Sequence, residues 1–392
     1  MAVAGMSFDA LIGEVRAGSD QRVAWSLDAL PDLLGELGVG RVGVVVSPHA
    51  VGAVGGYMVL EDLLSGFGAM FFDDFTPNPK VEEALVCARV FAAHGAEAVV
   101  AVGGGSCLDV AKLAGLGVRQ GDATQRVLRG EVKAGADGLP LIVAPPTTGT
   151  GSEATPFAAI YVEGKKRSIG HRSMRPRAAI LDRRFAEVMP AGLAAETSLD
   201  ALCQAMESLW AVGSDADSIE AARAALPLLA DHIVDGVRGD GDARAMMQVG
   251  AYLAGRAIAI SKTTASHAMS YALTTNHGLA HGHAVAMTVG SLAAFNSDVE
   301  AEDCLDMRGV GHVRSMAVEA ASALGVEPAD AHRRVMDIVE DCGLSSSLKA
   351  VGVDEGAIGV LAGSVDPVRL SNNPRRLTEE DAARMYRAAL LS

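Results

Sequence analysis

The sequence predicts an α/β domain built on a parallel, doubly wound sheet, followed by an all-α domain. Three observations carry that prediction. Short apolar or β-branched runs alternate with helical periodicity through the first half of the chain. Two of those runs end in loops of Gly, Ser and Thr, at residues 103–106 and 147–152. From about Phe185 the strand-like runs stop and helical periodicity continues. Alternation of strands and helices implies parallel pairing, because each crossover helix must return the chain to the same end of the sheet. A length of 392 residues suits two domains, at about 100–200 residues each. The change of pattern divides them as 1–185 and 186–392.

The first strand is expected at 41–47, RVGVVVS, a run apolar enough to be buried on both faces. A helix is expected at 54–67, a strand at 69–73, and a turn at FTPNP, 75–79, since two prolines cannot sit inside a helix or a central strand. A helix at 80–94 leads to a strand at 98–102, then Gly103, Gly104, Gly105 and Ser106, then a helix carrying Asp109 and Lys112. Glycines after a strand let the backbone approach a pyrophosphate, and the following helix offers its N-terminal amides. The spacing is not GxGxxG, so the loop reads equally as a tight turn. The apolar run from 139 ends in Pro145 and Pro146 and continues as TTGTGSE, where hydroxyls and free amides suit phosphate or ribose. Two such loops make the first domain Rossmann-like in plan. Residues 163–182 contain Lys165, Lys166, Arg167, Arg172, Arg175 and Arg177. That cluster is either a solvated hairpin or a wall that recognises an anion. Helices follow at 195–211, 216–233, 241–260, 262–273, 283–296, 312–323, 329–341, 354–362 and 378–390.

The composition excludes several classes. A net charge of -15 argues against nucleic-acid binding, which needs a basic face. No apolar run reaches the roughly 18 residues of a membrane span. Residues 1–20 lack the apolar core of a signal peptide. The five cysteines are scattered and unpaired in pattern, as in a reducing cytoplasm. The expectation is a cytoplasmic protein with no nucleic-acid or membrane partner.

The chemistry concentrates in the second domain. Residues 261–286 hold four of the ten histidines, with His267 and His281 fourteen residues apart and His277 and His283 near them in sequence. Upstream, Asp200 and Gln204 are four apart in LDALCQAMES, which puts both on one helix face. An Asp and two His make a plausible site for zinc or iron(II). Any one of these histidines alone reads more readily as a packed core residue.

Taken together, PNP at 77–79, GGGS with Asp109 and Lys112, TGTGSE at 148–153, ILD at 180–182, LDAL at 199–202, His267, HG at 281–282 and NNPRRLT at 372–378 resemble the iron-containing (group III) alcohol dehydrogenases. The resemblance runs along almost the whole chain. It implies the dehydroquinate synthase-like architecture of that family and NAD(P)-dependent alcohol dehydrogenase activity. It implies Asp200, Gln204, His267 and His281 as ligands of iron(II), zinc or another divalent metal. Gln204 stands where the family usually has His, a weaker ligand in its place. Tyr271 stands where a further His is common and is assigned the proton-relay role. For the cofactor it implies Ser47, Pro77, Asn78, Gly104, Gly105, Ser106, Asp109, Thr147, Thr148 and Thr150. Ser47 replaces the Asp of NAD-preferring members, and a neutral residue there removes repulsion of a 2′-phosphate, favouring NADPH over NADH.

Residues 199–210 and 265–282 are most similar to members that reduce phosphonoacetaldehyde to 2-hydroxyethylphosphonate. That implies a small anionic aldehyde as substrate and a homodimer or larger homo-oligomer. The basic 163–177 segment, Arg375, Arg376 and Lys262 are candidate phosphonate partners. The alternatives are a reductase of a short uncharged aldehyde, a non-catalytic nucleotide-binding homologue and, more weakly, a lyase on the dehydroquinate synthase plan.

Overall fold

The computed structural model describes Gly13, Val15 and residues 20–391. The expectation for residues 1–20 therefore falls almost wholly outside the described residues. The chain divides between Met189 and Pro190 into two compact units. The first is α/β and the second helical, the fold class expected.

Among the described residues the first unit has eight strands: β1 Arg22–Ala24, β2 Arg41–Val46, β3 Gly68–Phe72, β4 Ala98–Val102, β5 Leu141–Ala144, β6 Phe157–Val162, β7 Lys165–Gly170 and β8 Ala178–Ile180. Six form one parallel sheet in the order β1-β8-β5-β4-β2-β3. The inner strands β4 and β5 are buried at every residue, as their unbroken apolar runs require when helices cover both faces. Gly43 in β2 has a packing role. A Cβ there would stand 2.6 Å from the Phe91 ring, so the absence of a side chain lets the helix Val81–His94 lie flat on the sheet. That helix starts with the Lys80 backbone amide donating to the Glu83 carboxylate at 2.6 Å and stops at Gly95, φ 73°.

The structure corrects one expectation, adds strands that were not foreseen and closes one open alternative. The helix expected at 54–67 is two short helices, Pro48–Ala53 and Tyr57–Leu63. Gly55 and Gly56 separate them at φ +103° and +93°, a backbone no helix can carry. Strands β1 and β8 have three residues each and were not foreseen, being too short to show a period. The basic segment is a hairpin: β7 pairs antiparallel with β6, and Lys165, Lys166 and Arg167 are exposed, Lys166 also near enough to Asp109 to favour its ionised form. Arg172 and Arg175 are held by Asp137 and Asp20 at 3.0 and 2.7 Å. The cations are spread over a solvated ribbon rather than gathered into a wall.

In the second unit the helix Ala191–Trp210 runs through the core and is buried continuously from Ser198 to Trp210. Helices Ala216–Ala230, Gly241–Ser261 and His281–Ser297 pack against it. The approach of the last is very close. A Cβ on Gly282 would stand 1.9 Å from the Glu196 carbonyl oxygen and 2.7 Å from the Asp200 nitrogen. Only glycine allows this crossing, and the crossing sets His281 beside Asp200. Among the described residues no helix is long and apolar enough to cross a membrane.

A candidate metal centre and nucleotide loops

Asp200, His267 and His281 come together in the helical unit. One ligand atom from each lies within 4.8 Å of the others. Three elements deliver them: the central helix, the helix Ala265–His277, and the first residue of the helix His281–Ser297. His267 Nε2 is 3.2 Å and His281 Nε2 4.0 Å from Asp200 Oδ1. Gln204, one turn beyond Asp200, is buried, and its Oε1 makes no hydrogen bond. An orphaned buried carbonyl oxygen is costly unless something electropositive faces it. One buried carboxylate, two imidazoles and an unsatisfied amide oxygen fit a borderline divalent cation.

Electrostatics agree with that fit. Burial by itself disfavours the His267 imidazolium, but Glu207 and Asp200 on its two nitrogens outweigh burial and raise its pKa to about 10. Burial likewise opposes ionisation of Asp200 and Glu207, yet their histidine partners hold both carboxyls below their ordinary values. The two carboxylates are therefore held ionised, and a proton on His267, or a cation in its place, balances them.

Glu207 was missed in the sequence. It is fully buried and accepts from His267 Nδ1, from Thr264 Oγ1 at 2.7 Å and from the Ser266 amide at 3.0 Å. These bonds bend the chain before the helix that carries His267. That helix starts at Ala265 rather than 262, and Lys262 sits in the preceding turn at φ 59°. A signal for Glu207 existed: with Asp200 and Gln204 it makes a 200, 204, 207 stripe on one helix face.

Tyr271 lies one turn after His267, with its ring 5.9 Å from that of His281. Burial raises the phenol pKa, Arg369 acting against it, so the hydroxyl keeps its proton at neutral pH. His277 and His283 are not part of the cluster; His283 Nε2 bonds the Ser345 carbonyl at 2.7 Å. Arg375 is removed from the list of candidate anion partners. Its guanidinium is 2.6 Å from Asp303 and 2.5 Å from the Phe295 carbonyl, and it stacks on the Phe295 ring. It fastens the chain after Pro374 instead.

In the α/β unit, strand order reverses between β2 and β4, the kind of switch point where nucleotides bind in open sheets. Ser47 follows β2 and Gly103 follows β4, and the Ser47 amide donates to the Val102 carbonyl at 2.9 Å. A Cβ on Gly103 would stand 2.5 Å from Cys107, and one on Gly105 3.1 Å from Thr150. The helix Gly105–Gly117 therefore starts hard against both loops. Thr147 is beside Gly104, and its Oγ1 is buried without a hydrogen-bond partner; Thr148 is fully buried. Asn78, at φ 58°, donates its amide to Ser106 Oγ at 3.3 Å, and Pro77 precedes it in an exposed turn.

Asp109 and Lys112 work inside the unit. Lys112 Nζ donates to Ser152 O and Oγ, Thr155 Oγ1 and Phe157 O within 2.6–3.0 Å. Asp109 accepts from the Ala159 amide and the Ser152 side chain, and burial raises its pKa to about 6. Together they pin the 152–159 segment.

A sheet switch point with glycine and threonine loops at its strand ends, and a buried Asp/His cluster, are parts that a nucleotide-using, metal-assisted enzyme requires. Residues 23–183 match the model for iron-containing alcohol dehydrogenase, and residues 194–390 the model for the C-terminal part of that family. The chain is 36% identical to phosphonoacetaldehyde reductase of Streptomyces viridochromogenes, over 88% of this chain and 89% of that one. It is 30% identical to lactaldehyde reductase of Escherichia coli, over 83% and 85%. The fold matches the structure of sulfoacetaldehyde reductase from Bifidobacterium kashiwanohense in complex with NAD+, with a TM-score of 0.82, 27% identity and coverage of 94% and 97%. The chain belongs to the iron-containing alcohol dehydrogenase family and is an oxidoreductase of the alcohol dehydrogenase and aldehyde reductase type.

Proposed function

We propose that this enzyme reduces phosphonoacetaldehyde to 2-hydroxyethylphosphonate, with NADPH preferred over NADH. The observation that carries the reading is the identity to the Streptomyces phosphonoacetaldehyde reductase along nearly the whole of both chains. Asp200, Gln204, His267 and His281 would hold the metal, iron(II) first and zinc or another divalent ion as substitutes. Bound there, the metal supplies Lewis-acid polarisation of the carbonyl, and NADPH supplies the hydride. Glu207 orients His267 by its bond to Nδ1. Tyr271 keeps its proton and delivers it to the alcohol oxygen, directly or through water.

On the nucleotide side, Gly104, Gly105 and Ser106 at the helix start would take the pyrophosphate. Pro77, Asn78, Thr147, Thr148 and Thr150 would border it, with Asp109 bracing the Ser152 segment behind them. Ser47 carries no charge to repel a 2′-phosphate. A cytoplasmic homodimer or larger homo-oligomer goes with this reading.

The test is initial-rate kinetics on protein stripped of metal and reloaded with iron(II) or zinc, with NADPH and NADH in parallel. Metal-dependent oxidation of NADPH by phosphonoacetaldehyde is expected, faster than with butanal. A second reading, reduction of an uncharged aldehyde, is favoured by the solvated state of the basic hairpin. Turnover of butanal with none of phosphonoacetaldehyde would establish it instead.

A further inference from the structure

We propose that Arg369 is the residue that selects an anionic aldehyde, by gripping its phosphonate. The proposal deepens the substrate reading above and rests on it. Arg369 lies on the short helix Pro367–Leu370, far in sequence from every residue of the metal cluster. Its guanidinium carbon stands 4.5 Å over the Tyr271 ring, and Nη1 donates to the Tyr271 hydroxyl at 3.0 Å. The other end of that contact chain is the metal cluster: the Tyr271 ring is 5.9 Å from His281, and His281 is 5.4 Å from His267, centroid to centroid. A fixed positive charge thus sits one aromatic ring away from the groups that would hold the carbonyl. A two-carbon aldehyde with a charged end needs its carbonyl and its anion held by neighbouring side chains, since few bonds join its two ends.

The arrangement is suited to an anion for two reasons. Stacking on Tyr271 and the bond from Nη1 hold the guanidinium plane, so little freedom is lost when the rest of the fork engages a ligand. Its acidic neighbour Asp366 is distant, with Nε to Oδ2 at 3.8 Å, and the Arg369 side chain is 41% exposed. An exposed pair of that length contributes little and yields readily to a tetrahedral oxyanion that accepts two parallel hydrogen bonds. Arg375, by contrast, is only 18% exposed and is saturated by Asp303 and Phe295. Arg369 therefore takes the role that the sequence had offered to Arg375. Its bond to the Tyr271 hydroxyl also couples the two ends of the substrate, because the group that holds the anion also orients the proton donor.

The test uses the full-length, metal-loaded enzyme and compares wild type, Arg369→Gln and Arg369→Lys. Two quantities are read: the ratio of kcat/KM for phosphonoacetaldehyde to that for butanal, and the inhibition constant of 2-hydroxyethylphosphonate against butanal. Arg369→Gln is expected to lower the ratio roughly 10- to 100-fold, the worth of a charge-assisted hydrogen-bond pair. The inhibition constant should rise in parallel, and Arg369→Lys should recover part of both by keeping the charge without the fork. A variant that slows both aldehydes equally would overturn the proposal, leaving Arg369 as a support for Tyr271 alone. Retention of the wild-type ratio in Arg369→Gln would overturn it while leaving the substrate reading intact. A wild-type enzyme with no preference for phosphonoacetaldehyde over butanal would overturn both.

Discussion

The Glu207 carboxylate bonds the Nδ1 of His267, whose Nε2 lies 3.2 Å from Asp200 Oδ1. One imidazole is thereby clamped between two buried carboxylates, its ring orientation set by the one that stands outside the cluster. A metal-binding histidine held this way presents Nε2 in a single tautomer once Nδ1 carries the proton. Glu207→Gln keeps the shape and removes the charge. It should weaken binding of zinc or iron(II) about 10- to 100-fold. Competition against a chromophoric chelator measures this, and an unchanged affinity would show that Glu207 serves packing alone.

Gln204→His should act in the opposite direction. Gln204 Oε1 is buried with no hydrogen-bond partner, and imidazole is the better ligand for these metals. Affinity measured by the same competition is expected to rise tenfold or more, about 1.4 kcal/mol or above. A fall would mean that the site cannot seat a ring at this position, and that its amide is matched to the space available.

Ser47 stands where β2 ends, next to the Gly103 turn. Ser47→Asp introduces a carboxylate where a 2′-phosphate would lie and should lower the NADPH to NADH ratio of kcat/KM roughly tenfold or more, since like charges in contact cost several kcal/mol. Parallel kinetics with the two cofactors decide it. An unaltered ratio would place the 2′-phosphate elsewhere.

Glu153 gives a prediction for stability against pH. The side chain is buried, and burial raises its pKa from 4.5 to about 7, against the pull of its backbone hydrogen bond and of Lys112. Between those two values the folded protein keeps a proton that the unfolded chain has lost. Stability from this group is therefore complete below pH 4.5 and declines as pH rises towards 7. Glu153→Gln should flatten that decline, by up to about 1.4 kcal/mol per pH unit. Denaturant melts of both proteins at intervals across the window test it; identical slopes would show that Glu153 ionises in the folded state as readily as in the unfolded one.

The inner strands and the strand-end loops were legible from local patterns, and the grouping of Asp200 with His267 and His281 from spacing and the family resemblance together. An unbroken apolar run, a glycine cluster after it, and a four-residue spacing are all written within a few positions. The helix expected at 54–67 failed because Gly55 and Gly56, at positive φ, interrupt an apolar period that by itself looks continuous. The basic stretch at 163–177 could not be assigned from charge alone. Whether such cations gather or scatter depends on pairing with β6 and on carboxylates as distant as Asp20 and Asp137.

What the sequence by itself determined is the succession of an α/β and a helical domain, the family, and the choice of Asp200, His267 and His281 as residues that come together. These follow from periodicity and motif, which are properties of neighbours in the chain. Only the tertiary structure decided that Glu207 turns His267 towards Asp200, that Gly282 is the contact letting His281 reach it, and that Arg369 rather than Arg375 carries the available charge beside Tyr271. Arg369 and Tyr271 are 98 residues apart. Nothing local marks such a pair, because the energy that joins them comes from the packing of separate helices, and each helix would form with the same periodicity without it.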